Sequence, residues 1–185
     1  AQHENLLTTV HDPRVNLNYY QNVGEATGYG VELETSFFLG DNVTLFFNPT
    51  YTRLTYDQNL TFAGATLDTD GKQVVDTPEW TIKSGVIFTW GDFEVVPMAR
   101  YIDKRYGDAE NKEKVDSYAV ADLKIAYTKK TLSWVDELKV ALDVTNLFDE
   151  EYVAFVNAMD DSRAGATSYS VGAPLTALLT VSLGF

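Results

Sequence analysis

Cysteine is missing from all 185 residues, which removes disulfide frameworks, thiol nucleophiles and thiolate metal sites together. Histidine is nearly missing too. The two present, His3 and His11, flank a short apolar run near the start in polar surroundings and read as solvated side chains rather than metal ligands. Lysine and arginine total 14 against 27 acidic residues, and a formal charge of -13 excludes a basic stripe able to displace counterions from phosphates. No run approaches the roughly 18 apolar residues of a membrane helix. That absence does not touch membrane strands, which alternate and vanish in hydropathy averages. No internal repeat, low-complexity tract or linker stands out, so a single unit without an internal boundary is expected. Ala1 has no secretory leader before it, so the chain reads as mature or as a fragment.

What is present is aromatic and alternating. Aromatic residues make up 13% of the chain, with 11 Tyr and 10 Phe. The final stretch, L-T-A-L-L-T-V-S-L-G-F, sets Leu175, Ala177, Leu179, Val181, Leu183 and Phe185 on one parity. Thr176, Thr180, Ser182 and Gly184 stand on the other, with Leu178 the exception. A period of two over about ten residues is a half-buried strand.

The same pattern recurs upstream. A strand end at Asn5 to Val10 is followed by a turn at His11, Asp12 and Pro13, and further strands are expected over Tyr19 to Leu39 and Val43 to Leu54. Pro49 has no N–H for a ladder, so irregular pairing or a bulge is expected there. The next strand puts Trp80, Ile82, Ser84, Val86, Phe88 and Trp90 on one face. Its two tryptophans are ten residues apart, about 25 Å along a membrane normal for a tilted strand. Phe93 to Asp103, Tyr118 to Tyr127 and Leu138 to Thr145 follow, giving about eight strands with the last. Connections alternate in length: short at Gly40 to Asn42, Gly91-Asp92 and Lys129 to Asp136, long at Thr55 to Val74, Lys104 to Asp116 and Asp149 to Gly172. Apolar outward faces with alternating short turns and long loops predict an all-β fold, an antiparallel transmembrane β-barrel.

Three stretches carry a family resemblance: Y-Q-N-V-G-E-A-T-G-Y-G-V-E-L-E from Tyr20, R-Y-I-D-K-R-Y-G-D from Arg100, and V-T-N-L-F-D-E-E-Y from Val144. With their order, spacing and the terminal Phe185, the chain resembles the C-terminal β-barrel portion of a TonB-dependent outer-membrane receptor. The resemblance covers essentially the whole chain. It implies about eight strands of a 22-stranded barrel, with residues 1–185 as the C-terminal part and the plug domain and TonB box outside this chain. It also implies a Gram-negative outer-membrane location and energy-coupled uptake of a scarce nutrient, a ferric siderophore, other metal chelate or cobalamin. Implied partners are outer-membrane lipid, the remaining barrel and plug, the TonB complex through the N-terminal part, and the barrel-assembly machinery. No cofactor is implied.

Candidate residues follow from these readings. Trp80, Trp90, Tyr51 and Tyr101 are expected at the membrane interfaces. Leu179, Val181, Leu183 and Phe185 resemble a barrel-assembly signal. Tyr106, Tyr152, Phe155 and Tyr169, on the long loops, are candidates for touching a ligand or for anchoring at the interface. Asn146 and Asp149 suit a hydrogen-bonded turn, and Asp149, Glu150 and Glu151 read as a solvated acidic run rather than a cation site. Gly24, Gly28 and Gly30 lie in a strand pattern with no following helix, so bulges or close strand packing fit better than a phosphate cradle. Inward charges at Glu32, Glu34, Lys83, Glu94, Arg100, Asp122, Lys124, Lys139 and Asp143 face water, a plug or a substrate. No catalytic constellation has workable spacing, so an enzyme is not expected. Two other classes remain at this point: a self-contained eight-stranded barrel with a structural or adhesion role, and a soluble β-sandwich binding module.

Overall fold

The computed structural model describes residues 2–12, 17–62, 65–130, 135–157 and 167–185. In chain order the strands are β1 (Gln2–Asp12), β2 (Leu17–Glu32), β3 (Thr35–Leu39), β4 (Val43–Tyr56), β5 (Thr61–Phe62), β6 (Ala65–Thr66), β7 (Trp80–Trp90) and β8 (Phe93–Ile102). They continue with β9 (Arg105–Tyr106), β10 (Lys114–Val115), β11 (Tyr118–Lys130), β12 (Glu137–Thr145), β13 (Val153–Asn157), β14 (Ser168–Val171) and β15 (Thr176–Gly184). One sheet runs β1-β2-β4-β7-β8-β11-β12-β15 with β3 also on β4, and β5–β6, β9–β10 and β13–β14 form three small hairpin sheets. Every pairing of the large sheet is antiparallel.

Directly opposed residues share a face, so the register tests the alternation. Leu45 opposes Val86, Val95 opposes Ile125, Ile125 opposes Leu142, and Leu142 opposes Leu179. Trp90 opposes Phe93, which opposes Tyr127, and Tyr127 opposes Val140. The apolar parity of each strand therefore merges into one continuous face. The other face carries Lys124 directly opposite Asp143, with Glu94 one diagonal step away, opposite Ala126.

Burial between the two faces is the reverse of a soluble sandwich. Val96, Val120, Ala126 and Ala141 on the polar side are buried, whereas Trp80, Trp90, Leu179 and Val181 on the apolar side are exposed. Among the described residues no second layer covers that apolar side, so the sandwich alternative is set aside.

The structure corrects the expected transmembrane β-barrel. The large sheet is open: β1 pairs only with β2, β15 pairs only with β12, and no described sheet closes on itself. The description of this chain as the C-terminal barrel portion of a receptor, about eight strands of a 22-stranded barrel, is corrected with it, and so is the self-contained eight-stranded barrel. The physical reason is that alternation assigns each side chain to a face but says nothing of whether two strand edges meet. Closure needs a matching stagger and tilt around the whole circuit. No described helix is long and apolar enough to cross a membrane, a fact that bears on helices alone.

Two local expectations are refined. The stretch from Tyr19 to Leu39 is interrupted between Glu32 and Thr35, and the gap lies across from Asn48 and Pro49. Leu33 donates its N–H to the Pro49 carbonyl at 3.0 Å, but Pro49 has none to return. The Asn48 side chain accepts from the Thr35 N–H at 3.1 Å. Glu32 pairs with Thr50 and Thr35 with Phe47, so the ladder resumes in the same register, without a bulge. A real irregularity falls at Gly24, where the β1–β2 register shifts and φ is +148°. The turn after Asp12 and parts of the connections after Lys130 and Asn157 lie outside the described residues, as do the His3 and His11 side chains.

The long connections are not structureless. Tyr56, Leu60, Leu67 and Ala109 form a buried cluster with Val74 and Val75 packed against it. Thr69, fully buried, receives the Leu60 N–H at 2.8 Å and donates to the Gln58 carbonyl at 2.9 Å. Because they leave the same ends of their strands, the three long connections gather at one end of the sheet and form a cap.

Candidate functional site

The cap is organised around a cation. Arg105 on β9 is 2% exposed; its Nε donates to Asp76 Oδ1 at 2.6 Å and one terminal nitrogen donates to the Val153 carbonyl at 2.6 Å. Asp76 Oδ2 accepts the Val156 N–H at 3.2 Å. One ion pair thus ties all three long connections together. The Arg105 guanidinium also lies 5.8 Å from the centre of the Tyr118 ring, a cation–π contact, and Tyr118 stacks on Tyr152 at 4.3 Å. A second tie uses an amide. Asn111 accepts the Gln73 N–H and donates to the Gln73 carbonyl, both at 2.8 Å, imitating a strand partner.

The V-T-N-L-F-D-E-E-Y stretch ends β12 with a built turn. Asn146 has φ +53° and is buried. Its side chain accepts the Glu150 N–H at 2.8 Å and donates to the Glu150 and Ala173 carbonyls at 2.9 and 3.0 Å. Its own N–H donates to Asp122 Oδ1 at 2.9 Å. Asp149 accepts the Leu175 N–H at 2.8 Å and so sets the start of the last strand. Leu147 and Phe148 stay exposed beside this turn. Among the described residues no acidic or histidine group is arranged to hold a metal ion.

Beside the Arg105 hub lies an open cleft of about 510 Å³, lined by Lys114, Tyr118, Glu151, Tyr152, Tyr169 and neighbours. Two of the four loop aromatics singled out in the sequence, Tyr152 and Tyr169, meet there. Tyr106 sits on the adjoining hairpin opposite Lys114, and Phe155 is exposed away from the cleft lining. The Tyr169 hydroxyl donates to Glu113 at 2.6 Å. That bond, reinforced by burial and by the nearby carboxylate charge, pushes the phenol up to about 12. At the rim, Lys114 and Asp116 pair at 2.6 Å, which raises the ammonium above its ordinary range and holds the carboxyl below its own. Sequence reasoning missed Tyr118 and the Arg105–Asp76 hub. Arg105 lies within the R-Y-I-D-K-R-Y-G-D stretch, but nothing in that stretch marks which cation is buried.

Both ends of the apolar face carry aromatic clusters. Tyr29, Tyr51 and Trp80 associate at 6.1 and 4.9 Å at the cap end. Tyr101 opposes Ile82 nearby, and its hydroxyl donates to Asp103 at 3.1 Å. At the short-turn end Phe93 lies 4.9 Å from Tyr127 and lines an apolar hollow with Phe88, Trp90 and Val95. Leu179, Val181 and Leu183 stand exposed on β15, and Phe185 is 87% exposed at its end.

Residues 2–147 match the family described as TonB dependent receptor-like, beta-barrel, and the chain belongs to that family. It is 29% identical over 163 residues to a ferrioxamine B receptor of Salmonella typhimurium, covering 83% of this chain and 22% of that protein. It is 33% identical over 132 residues to the ferrichrome outer membrane transporter/phage receptor of Escherichia coli K12, covering 71% of this chain and 17% of that one. Among solved structures, the ferric-catecholate import receptor Fiu of E. coli K12 superposes with a TM-score of 0.66 at 25% identity, over 100% of this chain and 24% of that one. The chain thus spans about a fifth of the length of the curated relatives it matches. The family is one of receptors rather than enzymes, and its setting, the Gram-negative outer membrane, is where this chain resides.

Proposed function

We propose that this chain works as part of a longer TonB-dependent receptor that takes up a scarce nutrient across the outer membrane, a ferric siderophore or another metal chelate. The family match over residues 2–147 carries the reading. The cap supports it, because it offers an aromatic cleft held by a buried ion pair rather than a catalytic constellation. Tyr152 and Tyr169 are the ligand-contacting residues in this reading, with Tyr106 and Phe155 on neighbouring surface. The remainder of the receptor and its plug, and the TonB complex, are the partners that supply the energy coupling. Uptake of a panel of iron-55-labelled siderophores by cells lacking the gene tests it. Loss of TonB-dependent uptake of at least one chelate is expected, and unchanged uptake of all of them sinks the proposal.

The uncovered apolar face is the surface that meets outer-membrane lipid in this reading, with Trp80, Tyr51 and Tyr101 at one interface and Trp90 at the other. Amphipathic rings suit that boundary. Leu179, Val181, Leu183 and Phe185 act as the segment recognised by the barrel-assembly machinery. Deleting Phe185 is expected to lower the outer-membrane level of the receptor, and wild-type levels in the deletion would remove that role.

A further inference from the structure

The two tyrosines of the cleft each rest on a glycine. At the β13–β14 hairpin Gly172 donates its N–H to the Tyr152 carbonyl at 2.7 Å, and a methyl group in place of a Gly172 hydrogen would overlap the Tyr152 ring. On the β9–β10 hairpin Gly107 donates its N–H to the Glu113 carbonyl at 2.8 Å. A methyl group there would come 2.5 Å from the Tyr169 hydroxyl oxygen and 3.2 Å from the Glu113 carboxylate, the two groups that hydrogen-bond each other. Neither glycine has a positive φ, so the backbone conformation would accept other residues and only the neighbouring side chains exclude them. Those side chains are not free to step aside. Tyr152 stacks on Tyr118, and Tyr118 lies beside the Arg105 guanidinium, itself fixed by Asp76 and the Val153 carbonyl. Tyr169 is held through its hydroxyl by Glu113, while Thr167 donates to the Gly107 carbonyl at 3.1 Å. Neither glycine lines the cleft, so each can act on a bound molecule only through its tyrosine.

The geometry points to Gly172 and Gly107 as positioning residues of the cleft: they set where the Tyr152 ring and the Tyr169 hydroxyl stand, and through them the affinity with which a chelate is held. This rests on the reading of Tyr152 and Tyr169 as ligand-contacting residues. A wall already in place avoids the cost of ordering side chains around a ligand. Displacing a tyrosine therefore weakens binding and leaves the energy-coupled step, which depends on other parts of the receptor, at its own rate.

The test uses the complete receptor in cells, with iron-55 loaded on a panel of hydroxamate, catecholate and carboxylate siderophores. For each chelate that the parent takes up, Gly172→Ala is expected to raise the half-saturating concentration about fivefold, a coupling typical of residues in contact, with the maximal rate per receptor unchanged. In a Tyr152→Ala background, where no ring remains to displace, the same substitution is expected to change it less than about twofold. Gly107→Ala is the second variant, and its effect is expected to vanish in a Tyr169→Phe background, which lacks the obstructing hydroxyl. Half-saturation is independent of receptor number, so a lowered membrane level does not blur the result. Unchanged half-saturation in both glycine variants, or equal shifts with and without the tyrosine groups, overturns the positioning role. So does absence of both variants from the membrane, which makes the need for glycine purely structural. A parent receptor that takes up none of the panel, or one indifferent to Tyr152→Ala and Tyr169→Ala, instead defeats the underlying reading, and the inference falls with it.

Discussion

The large sheet and the cap at its end solve the same problem in opposite ways. In the sheet, position in the register decides every side chain's surroundings, and the large apolar residues stand exposed on one continuous face. In the cap, residues from connections far apart in sequence enclose one another: Arg105 reaches Asp76 across 29 positions and the Val153 carbonyl across 48. The sheet therefore takes its energetics from whatever covers its apolar face, whereas the cap carries a core of its own. A stretch of chain can be polar in composition and still be the most enclosed part of the molecule.

The sharpest break in that comparison is Arg105→Ala. It leaves Asp76 without its cation and the Val153 carbonyl without its donor, a loss of about 3 kcal/mol, the low end for a buried pair because Asp76 is 30% exposed. Hydrogen exchange is expected to accelerate in all three long connections and to leave β11, β12 and β15 unchanged. Acceleration confined to β9 and β10 would show that the cap is not one unit.

On the sheet, Leu179→Arg is set against Thr180→Arg one position away. With lipid on the apolar face the first costs about 2 to 4 kcal/mol near the bilayer centre and the second little. Outer-membrane level is expected to fall for the first alone, and equal levels would show that lipid does not cover that face.

Asn146→Ala lies at the junction of the two regions and strips partners from the Glu150 N–H and from two carbonyls, at about 1 to 3 kcal/mol. It is expected to increase protease cleavage after β12, and unaltered cleavage would reduce Asn146 to a replaceable turn residue. Asn146→Gly, which tolerates the positive φ, is expected to recover part of the loss.

The smallest effect belongs to Tyr169. Its phenol ionises at about 12 in the fold against an ordinary 10.0, so the neutral form is the one the fold favours. Its contribution is complete below pH 10 and is lost as pH rises towards 12. Tyr169→Phe is expected to flatten that alkaline stretch of a stability profile, and a variant with the same alkaline slope as the parent would place the titration elsewhere.

Much of the sheet was legible because alternation is local: the parity of Trp80 to Trp90 and of Leu175 to Leu183 was plain, and the register places it as expected. The Asn146 turn was legible for the same reason, since Asn and Asp close short loops with their own side chains. Tyr152 and Tyr169 were singled out as loop aromatics, but their meeting with Tyr118 over Arg105 was not visible, since three connections must come together to make it. The irregularity placed at Pro49 proved to be a gap in an unshifted ladder. The open edges escaped because a strand carries no local mark of whether its far neighbour exists.

By itself the sequence determined the strand parity, the alternating connection lengths and the family, all of which reside in neighbouring residues and quoted motifs. Only the tertiary structure decided that the sheet stays open, that polar connections enclose an ion pair, and that Gly107 and Gly172 lie against the cleft tyrosines. Those outcomes depend on hydrogen-bond edges, charges and rings meeting across tens of residues, and the free energy of such a meeting has no signature in any one segment.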